Sequence, residues 1–272
     1  MTAEFFAAEN IAYFRELPLE DAPVASPEKL QGLAEKIGGA ESVAVFLIPY
    51  HAGRRATNLS TYAMAEDYHL YVRGLGERFG AFLKSKGKEI PFLALSDSSP
   101  FDERTLAQIA GLGVLGQNGL LLNERYGSYV FIGEFLLGKA IAPQKPLFPK
   151  ACAGCGACLA ACPTGAIGDP KRERCLSLLS QKKNRTPEED ALLEKFPCKW
   201  GCDLCQEACP MNRRAALSPI SFFRENLIEA ITPEVVEMEK AAFSRRAFSW
   251  RGRNLLRKNY GTAGEENKPK KP

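Results

Sequence analysis

The chain has 272 residues, of which 45% are hydrophobic and 25% charged, and its formal net charge at pH 7 is +4. This composition is ordinary for a soluble globular protein. The longest apolar runs, Ser42–Tyr50 and Tyr129–Gly138, are too short to cross a bilayer, and the first residues lack a basic-then-apolar leader pattern. The sequence therefore predicts a cytoplasmic protein that has no membrane segment.

The first half of the chain mixes helical and strand-like patterns. Apolar residues at helical spacing predict helices over 27–38 and about 64–86. Short β-rich apolar runs bounded by Gly, Pro or polar residues predict strands, which cover 42–50, 89–95, 119–123 and 128–137. These elements predict an α/β or α+β domain.

A further helix is predicted to begin within the run Ser96–Pro100 and to end at Gly111. Ser99 is predicted as its N-cap and Pro100 as its first residue, with Asp102 completing a capping box. The run Ala110–Gly116 matches G-x-G-x-x-G, but it follows a helix and precedes a strand, the reverse of the dinucleotide-binding context. A helix C-cap followed by a tight turn is therefore the favoured interpretation.

The second half of the chain has a different character. A Pro-rich segment, Pro143–Pro149, predicts a linker, and cysteine, glycine and proline dominate residues 150–215. From Arg245 onward there are nine Lys and Arg against two Glu, which predicts a solvated basic end or contact with an anionic partner such as RNA. The sequence thus predicts three segments, at 1–145, 146–215 and 216–272.

Two cysteine blocks carry the strongest chemical signal. The first is Cys152-x2-Cys155-x2-Cys158-x3-Cys162-Pro163, and the second, Cys202-x2-Cys205-x3-Cys209-Pro210, repeats it without its first cysteine. In two-cluster ferredoxins the cysteine before proline ligates the other cluster. The spacing therefore predicts two 4Fe–4S clusters in a bacterial-type ferredoxin module. The first takes Cys152, Cys155, Cys158 and Cys209, and the second takes Cys162, Cys202, Cys205 and one more ligand.

The missing ligand has two candidates, Cys175 and Cys198, and the spacing does not choose between them. A zinc ribbon is the alternative for paired Cys-x2-Cys motifs. It leaves the seven-cysteine reciprocal pattern and its two prolines unexplained, so iron–sulfur binding is favoured. Two clusters indicate electron transfer or electron-driven reduction.

Few other residues indicate chemistry from the sequence alone. His51 and His69 are the only histidines, and neither belongs to a metal-ligand pair or a nucleophile–base arrangement. Asp97 follows a predicted strand, where a turn or cap role is the more common one, although strand ends also collect catalytic groups.

Taken together, these motifs resemble the epoxyqueuosine reductases, a family of cobalamin-dependent iron–sulfur enzymes of queuosine-tRNA biosynthesis. The resemblance covers about residues 40–215, and more weakly the run 253–257. The matching segments are Tyr62-Ala63, Asp67-Tyr68-His69, Asp97–Pro100, Glu103-Arg104, Ala110–Gly113 with Gly116, Gly127–Tyr129, Gly133-Glu134, Cys162–Ile167, Arg174-Cys175, Gly201–Gln206 and Cys209-Pro210-x-Asn212.

The resemblance implies an α+β fold in which a nitroreductase-like, cobalamin-binding domain precedes the ferredoxin module and a short, helical, basic tail. It implies that Asp97 is the proton donor and that Cys175, rather than Cys198, completes the second cluster. Electrons from the clusters would reach cobalt, and an epoxide oxygen would leave as water. The implied cobalamin pocket consists of Tyr68, His69, Gly113, Gly116, Gln117, Asn118 and Ser128.

The chain departs from the family at Gln117 and Met211, where Lys and Trp are usual. It resembles a short form without the helical-repeat domain of many members, so its basic tail is the predicted tRNA contact. The other expectations are a flavodoxin- or ferredoxin-type electron donor and a monomeric state. The alternatives are an electron-transfer protein without corrinoid, a cytoplasmic relative of the reductive dehalogenases, and a non-enzymatic RNA-binding protein.

Overall fold

The computed structural model describes residues 2–147 and 151–261. These residues form two compact units, each built from separate stretches of the chain. The first unit comprises Met1–Tyr50, Tyr68–Cys155 and Met211–Ser221, and the second comprises His51–Asp67, Gly156–Pro210 and Phe222–Pro272. The predicted division into three segments along the chain stays a prediction.

The first unit is built on a four-stranded antiparallel sheet in the order β1-β2-β6-β3. A separate hairpin is formed by β4 and β5. The α+β class predicted from the sequence is therefore confirmed. The elements of this unit are α1 (Thr2–Ala8), β1 (Phe14–Pro18), α2 (Pro27–Lys36), β2 (Ser42–Pro49), α3 (Tyr68–Ser85), β3 (Phe92–Leu95), α4 (Glu103–Ile109), β4 (Val114–Leu115), β5 (Leu121–Leu122) and β6 (Val130–Leu137).

The central strand β2 is apolar throughout because both of its faces are covered. Every residue of β2 is buried, and successive side chains point to opposite faces of the sheet. Val43, Val45 and Leu47 join the core formed with α4 and the β4–β5 hairpin. On the other face, the ring of Phe46 lies 4.9 Å from that of Phe135, in an aromatic cluster that includes residues of α1 and α3. Burial on both sides explains why the sequence pattern is continuous rather than alternating.

The helix after β3 begins later than the sequence predicts. Asp102 is its N-cap and accepts a hydrogen bond from the Thr105 backbone N–H, so α4 starts at Glu103. The prediction of Ser99 as the cap is wrong, because the Ser99 hydroxyl donates to Glu134 Oε2 at 2.5 Å instead. This hydrogen bond ties the loop before α4 to the middle of the sheet.

The end of α4 confirms the interpretation of the glycine-rich run as a helix cap. Gly111 has a φ of +74°, and its N–H donates to the carbonyl of Gln108 while the Leu112 N–H donates to that of Ala107. This pair of bonds is a Schellman motif, which satisfies the last carbonyls of a helix. The chain then enters the β4–β5 hairpin.

The predicted linker Pro143–Pro149 is described only to residue 147, so Pro149 lies outside the described residues. The described part is attached to the first unit. The Gln144 N–H donates to the carbonyl of Glu16, and the Leu147 N–H to that of Ile109. In addition, the buried Glu16 carboxylate accepts hydrogen bonds from the N–H groups of Ile141 and Ala142.

The second unit consists of short helices around a core that contains Trp200, Phe248 and Leu256. Trp200 is fully buried, and its indole N–H donates to the Tyr62 hydroxyl at 2.8 Å. The helices are α5 (Ala157–Ala161), α6 (Leu176–Gln181), α7 (Pro187–Glu194), α8 (Leu204–Glu207), α9 (Pro233–Glu237), α10 (Lys240–Ser244) and α11 (Arg253–Gly261). Within the described residues, no helix has the length and apolar character needed to span a bilayer.

Candidate functional site

A cavity of about 460 Å³ lies in the first unit, beside the loop that follows β3. We call it the Asp97 cavity. One wall is a stacked pair of rings, Tyr68 and Phe131, whose centroids are 4.1 Å apart and whose planes differ by 4°. The cavity combines this flat aromatic wall with aliphatic and acidic side chains. Its other lining residues are Asp97, Phe101, Asp102, Glu103, Arg104, Leu120, Leu121, Ser128, Val130 and Ile132.

Asp97 is held in a conformation that few residue types adopt. Its φ is +52°, in the left-handed region where Asp and Asn are enriched among non-glycine residues. Its carboxylate is accessible, with the side chain 66% exposed, and Oδ2 lies 3.5 Å from His69 Nε2. An accessible carboxyl group beside an imidazole can exchange protons with a bound molecule.

Two further carboxyl groups, to which no sequence motif assigns a role, belong to this region: Glu103 senses the charge of Asp97, and Glu134 senses that of Glu103. Glu134, on β6, is fully buried, and Glu103 is the first residue of α4. One carboxyl oxygen of each, Oε1, is buried without a hydrogen-bond partner among the described residues. A glutamate inside an otherwise apolar strand, as in Val130–Leu137, is the sequence signal that indicates such a group.

The surroundings of these two groups favour their protonated forms. Burial raises the pKa of Glu134 to about 8; the Ser99 hydrogen bond opposes this shift and the charge of Glu103 adds to it. Burial, together with the charge of Asp97, raises the pKa of Glu103 to about 7. Glu134 is therefore mostly a neutral acid at pH 7, and Glu103 exchanges its proton near that pH.

We expect the protonated-carboxyl region of the infrared spectrum at pH 7 to contain a Glu134 band that the Glu134→Gln variant lacks, while the contribution of Glu103 remains. In the unmodified protein this band should titrate with a midpoint near 8. Because this folded-state pKa lies above the ordinary glutamate pKa of 4.5, the contribution of Glu134 to stability is complete below pH 4.5 and is lost as the pH rises to about 8. Glu103→Gln is the matched control and should leave the high-pH band in place. A spectrum unchanged by Glu134→Gln would contradict the assignment.

The structure brings together some of the predicted pocket residues and separates others from them. Tyr68, Asp97 and Ser128 line the Asp97 cavity. His69 lies beside Asp97, with 3.5 Å between its Nε2 and Asp97 Oδ2. The remaining four are not among the described residues that line this cavity, and their assignment stays a prediction. They lie in or beside the β4–β5 hairpin and are Gly113, Gly116, Gln117 and Asn118.

The two glycines of this set, Gly113 and Gly116, make close contacts within the hairpin. A Cβ at Gly113 would lie 2.7 Å from the Leu122 carbonyl oxygen, and one at Gly116 would lie 2.6 Å from Asn118 Oδ1. The contact at Gly113 is with the backbone of β5, so the close approach of β4 and β5 requires glycine at this position. The contact at Gly116 is with the Asn118 side chain in the turn.

Ser128 is fixed by a residue from the end of the second cysteine block. Its N–H donates to Asn212 Oδ1 at 2.7 Å, and Asn212 Nδ2 donates to the Ser128 hydroxyl at 2.8 Å. These two hydrogen bonds hold the segment before β6 at the wall of the cavity.

None of the nine cysteines, all of which lie in the described residues, forms a disulfide bond. The residues that the structure assigns to the second unit include seven of them, while Cys152 and Cys155 belong to the first. In the second unit, α5, which carries Cys158, packs against α8, which carries Cys205. The two cysteine blocks therefore meet through their short helices, as the reciprocal ligation pattern requires.

The surroundings of Cys162 are suited to a thiolate ligand. Although burial opposes it, the Thr164 hydroxyl and the backbone N–H groups of Thr164, Ala166 and Ile167 lower the pKa of this thiol. Hydrogen bonds to sulfur are among the features that tune iron–sulfur clusters. In the described ranges, no three His, Cys, Asp or Glu side chains are grouped for a single metal ion.

Both candidates for the fourth ligand of the second cluster lie in the second unit. Cys198 is hydrogen-bonded to Cys202, and this bond lowers the pKa of the Cys198 thiol. Cys175 precedes α6 as its N-cap residue, without a side-chain capping bond. The assignment of Cys175 stays a prediction.

Buried polar contacts fix the second cysteine block. The Asp203 carboxylate accepts hydrogen bonds from the Ser60 hydroxyl and the Thr61 N–H. Gly201, with a φ of +72°, donates its N–H to the Ser180 hydroxyl at 2.8 Å. The residues directly before and after Cys202 are thus both held by hydrogen bonds.

Known proteins are similar both to the cysteine region and to most of the remaining chain. Residues 151–212 match a 4Fe–4S double cluster binding domain. The chain is 28% identical over 247 residues to epoxyqueuosine reductase of Staphylococcus aureus, covering 87% of this chain and 60% of that protein. It is 33% identical over 209 residues to epoxyqueuosine reductase of Escherichia coli, covering 75% and 52% respectively.

The fold gives the same result. A crystal structure of epoxyqueuosine reductase with an epoxyqueuosine-modified tRNA-Tyr stem loop superimposes with a TM-score of 0.74 at 22% identity, over 96% of this chain and 80% of that one. The resemblance to the epoxyqueuosine reductases is therefore confirmed in sequence and in fold. This chain spans about half to three fifths of the length of the two curated relatives.

Proposed function

We propose that this chain is an iron–sulfur, cobalamin-dependent reductase that removes the epoxide oxygen of epoxyqueuosine in tRNA, or of a closely related substrate. The observation that carries the proposal is the combination, in one chain, of a double-cluster domain over 151–212 with an acid-lined cavity that contains Asp97. The curated relatives are named for this activity. Converting an epoxide to an alkene consumes two electrons and two protons and releases water, so an electron path and an acid are both required.

The two clusters provide the electron path. We assign Cys152, Cys155, Cys158 and Cys209 to the first cluster and Cys162, Cys175, Cys202 and Cys205 to the second. The packing of α5 against α8 and the N–H groups directed at Cys162 support this assignment. The thiols require a reducing compartment, so we place the protein in the cytoplasm.

The Asp97 cavity fits the reacting face of a corrinoid. The stacked Tyr68–Phe131 pair offers a flat apolar wall, while a whole corrin ring with its side arms exceeds the 460 Å³ of this cavity. Tyr68, Phe131 and Ser128 are therefore proposed to contact only the part of the cofactor nearest the substrate. When bound, cobalamin would supply low-valent cobalt as the reductant for C–O cleavage.

The protein's own groups would supply the protons. Asp97, accessible and 3.5 Å from His69, is positioned to protonate the departing oxygen. Glu103, whose pKa of about 7 arises from burial and the nearby Asp97 charge, can replace the proton that Asp97 gives up. Glu134 keeps its own proton and holds the loop through Ser99. In this scheme Asp97 contacts the substrate. Glu103 acts by returning a proton to Asp97, and Glu134 acts by holding the loop.

The nucleic-acid partner is proposed from the relatives. The superimposed crystal structure contains a tRNA stem loop, and the described C-terminal helix α11 carries Arg253, Arg257 and Lys258. The rest of the predicted basic tail, residues 262–272, lies outside the described residues. We propose that a monomer binds the RNA.

The test is anaerobic incubation of the chain, loaded with iron, sulfide and cobalamin, with a stem-loop RNA that carries epoxyqueuosine and a chemical reductant. Mass spectrometry of the digested nucleoside should show the loss of one oxygen atom. A reaction without cobalamin is the control. No loss of oxygen from any epoxyqueuosine RNA, with both cofactors bound, would overturn the proposal.

A further inference from the structure

A second large depression lies wholly within the second unit, on residues that the proposed chemistry does not use. It measures about 850 Å³ and is lined by residues of α6, of the turns on either side of α6, and of the turn before α11. We call it the basic groove. Its described lining includes five cationic side chains and no acidic one, namely Lys171, Arg172, Lys182, Lys183 and Arg251.

The charge of the basic groove is only partly neutralised. Lys182 pairs with Glu189 at 2.6 Å, and Glu189 does not belong to the described lining of the groove. Lys171 and Lys183 are exposed to solvent. Clefts lined by charges of one sign focus the field and attract a partner of the opposite sign.

The lining of the groove also includes exposed apolar side chains. Trp250 is 58% exposed and Leu178 48% exposed, and the guanidinium of Arg251 lies 3.7 Å from the centre of the Trp250 ring. Large apolar side chains that remain exposed within a polar rim are typical of protein-binding surfaces. Trp and Arg are also the residue types that contribute most to protein interfaces.

The most informative lining residue is Cys175, which we assign to the second cluster. A cluster ligand at the surface of a positively charged, partly apolar groove gives an electron carrier direct access to that cluster. We propose that the basic groove docks a small acidic one-electron carrier, a flavodoxin- or ferredoxin-type protein. This inference rests on the electron-relay part of the proposed function.

The step at this surface is a single electron transfer. The reduced carrier gives up one electron and the oxidised second cluster gains it, with no bond made or broken. Two such transfers supply the two electrons that epoxide removal consumes. Encounters of this kind use small interfaces and depend on charge steering.

RNA is the competing occupant, because phosphates also bind basic grooves. Two observations favour the protein carrier. Exposed Leu178 offers an aliphatic contact that a phosphate backbone does not use, and a cluster ligand has no purpose in RNA binding. The test therefore measures both partners.

The experiment measures the dissociation constant of a purified bacterial flavodoxin for the cluster-loaded chain, anaerobically and at low salt. The charge-reversal variant Lys171→Glu/Lys183→Glu is compared with Lys195→Glu/Lys240→Glu, which changes two exposed lysines of the same unit outside the groove. We expect the groove variant to bind about tenfold more weakly, within the range that charge steering provides. The control variant should bind as the unmodified chain does, and the difference should shrink at high salt.

Two outcomes would overturn the proposal. One is equal flavodoxin binding by the two variants. The other is a groove variant that loses affinity for a tRNA stem loop while its flavodoxin affinity is unchanged, which would make the groove an RNA surface. The assay uses neither substrate nor cobalamin, so its result stands even if no epoxyqueuosine is reduced. Iron content and melting temperature of both variants exclude misfolding as the cause.

Discussion

Replacing Asp97 with Asn is expected to reduce turnover of epoxyqueuosine RNA by about 10²–10⁴-fold, the usual contribution of a general acid. The amide cannot donate the proton that the departing oxygen requires. Asn, like Asp, is enriched among the non-glycine residues that adopt a φ of +52°, so the loop should keep its conformation. Single-turnover assays with pre-reduced enzyme measure this loss directly.

Asp102→Asn is the matched control. Asp102 belongs to the same loop and caps α4, and Asn caps helices as well as Asp does, so this variant should keep most of its turnover. Both variants should retain the iron and cobalt content of the unmodified protein. Normal turnover by Asp97→Asn would remove the residue from the mechanism, and equal losses in both variants would indicate an effect of charge rather than of the acid.

Cys175→Ala is expected to lose one entire cluster, so the iron content should fall from about eight to about four per chain. A cubane that has lost its fourth thiolate is weakly held. The substitution removes no side-chain capping bond from α6, so the local fold should survive. Iron and sulfide analysis, with electron paramagnetic resonance of the reduced protein, counts the clusters that remain.

Cys198→Ala is the companion variant and should keep about eight irons. It removes the hydrogen-bond partner of Cys202 without removing a ligand. The opposite pattern, four irons in Cys198→Ala and eight in Cys175→Ala, would transfer the ligand role to Cys198. It would also withdraw the argument that places a cluster ligand in the basic groove.

The elements that the sequence predicts best are those with a strong local pattern. The strands at 42–50 and 128–137 correspond to β2 and β6, because strands covered on both faces are continuously apolar. The helix predicted over 64–86 is observed as Tyr68–Ser85. Residues 64–67 instead form an irregular segment that follows a short 3-10 turn, Thr61–Ala63.

Elements that depend on distant contacts were not predicted. Strand β1 has the sequence FRELP, and its glutamate is buried because backbone N–H groups of 141 and 142 and the Ser42 hydroxyl bond to it. No local pattern indicates such a strand. Ser99 has the sequence context of a helix cap, but the carboxyl group of Glu134, 35 residues away, takes its hydroxyl.

The residues of the candidate site also include some that the sequence predicts and others that only the fold brings together. The cysteine blocks and Asp97 were found because they lie in short motifs whose spacing has a chemical meaning. The proximity of Glu103 to Glu134 and the basic groove each bring together residues from separate segments, so only the fold reveals them. For Gly113, the structure provides a packing reason that the sequence did not.

The central claim is that one chain holds two 4Fe–4S clusters and a corrinoid. The most direct test is anaerobic purification with added cobalamin, followed by analysis of iron, sulfide and cobalt per chain. The account predicts about eight irons, about eight sulfides and one cobalt. The same iron without cobalt would contradict the corrinoid reductase and leave an electron-transfer protein, and zinc in place of iron would contradict the whole account.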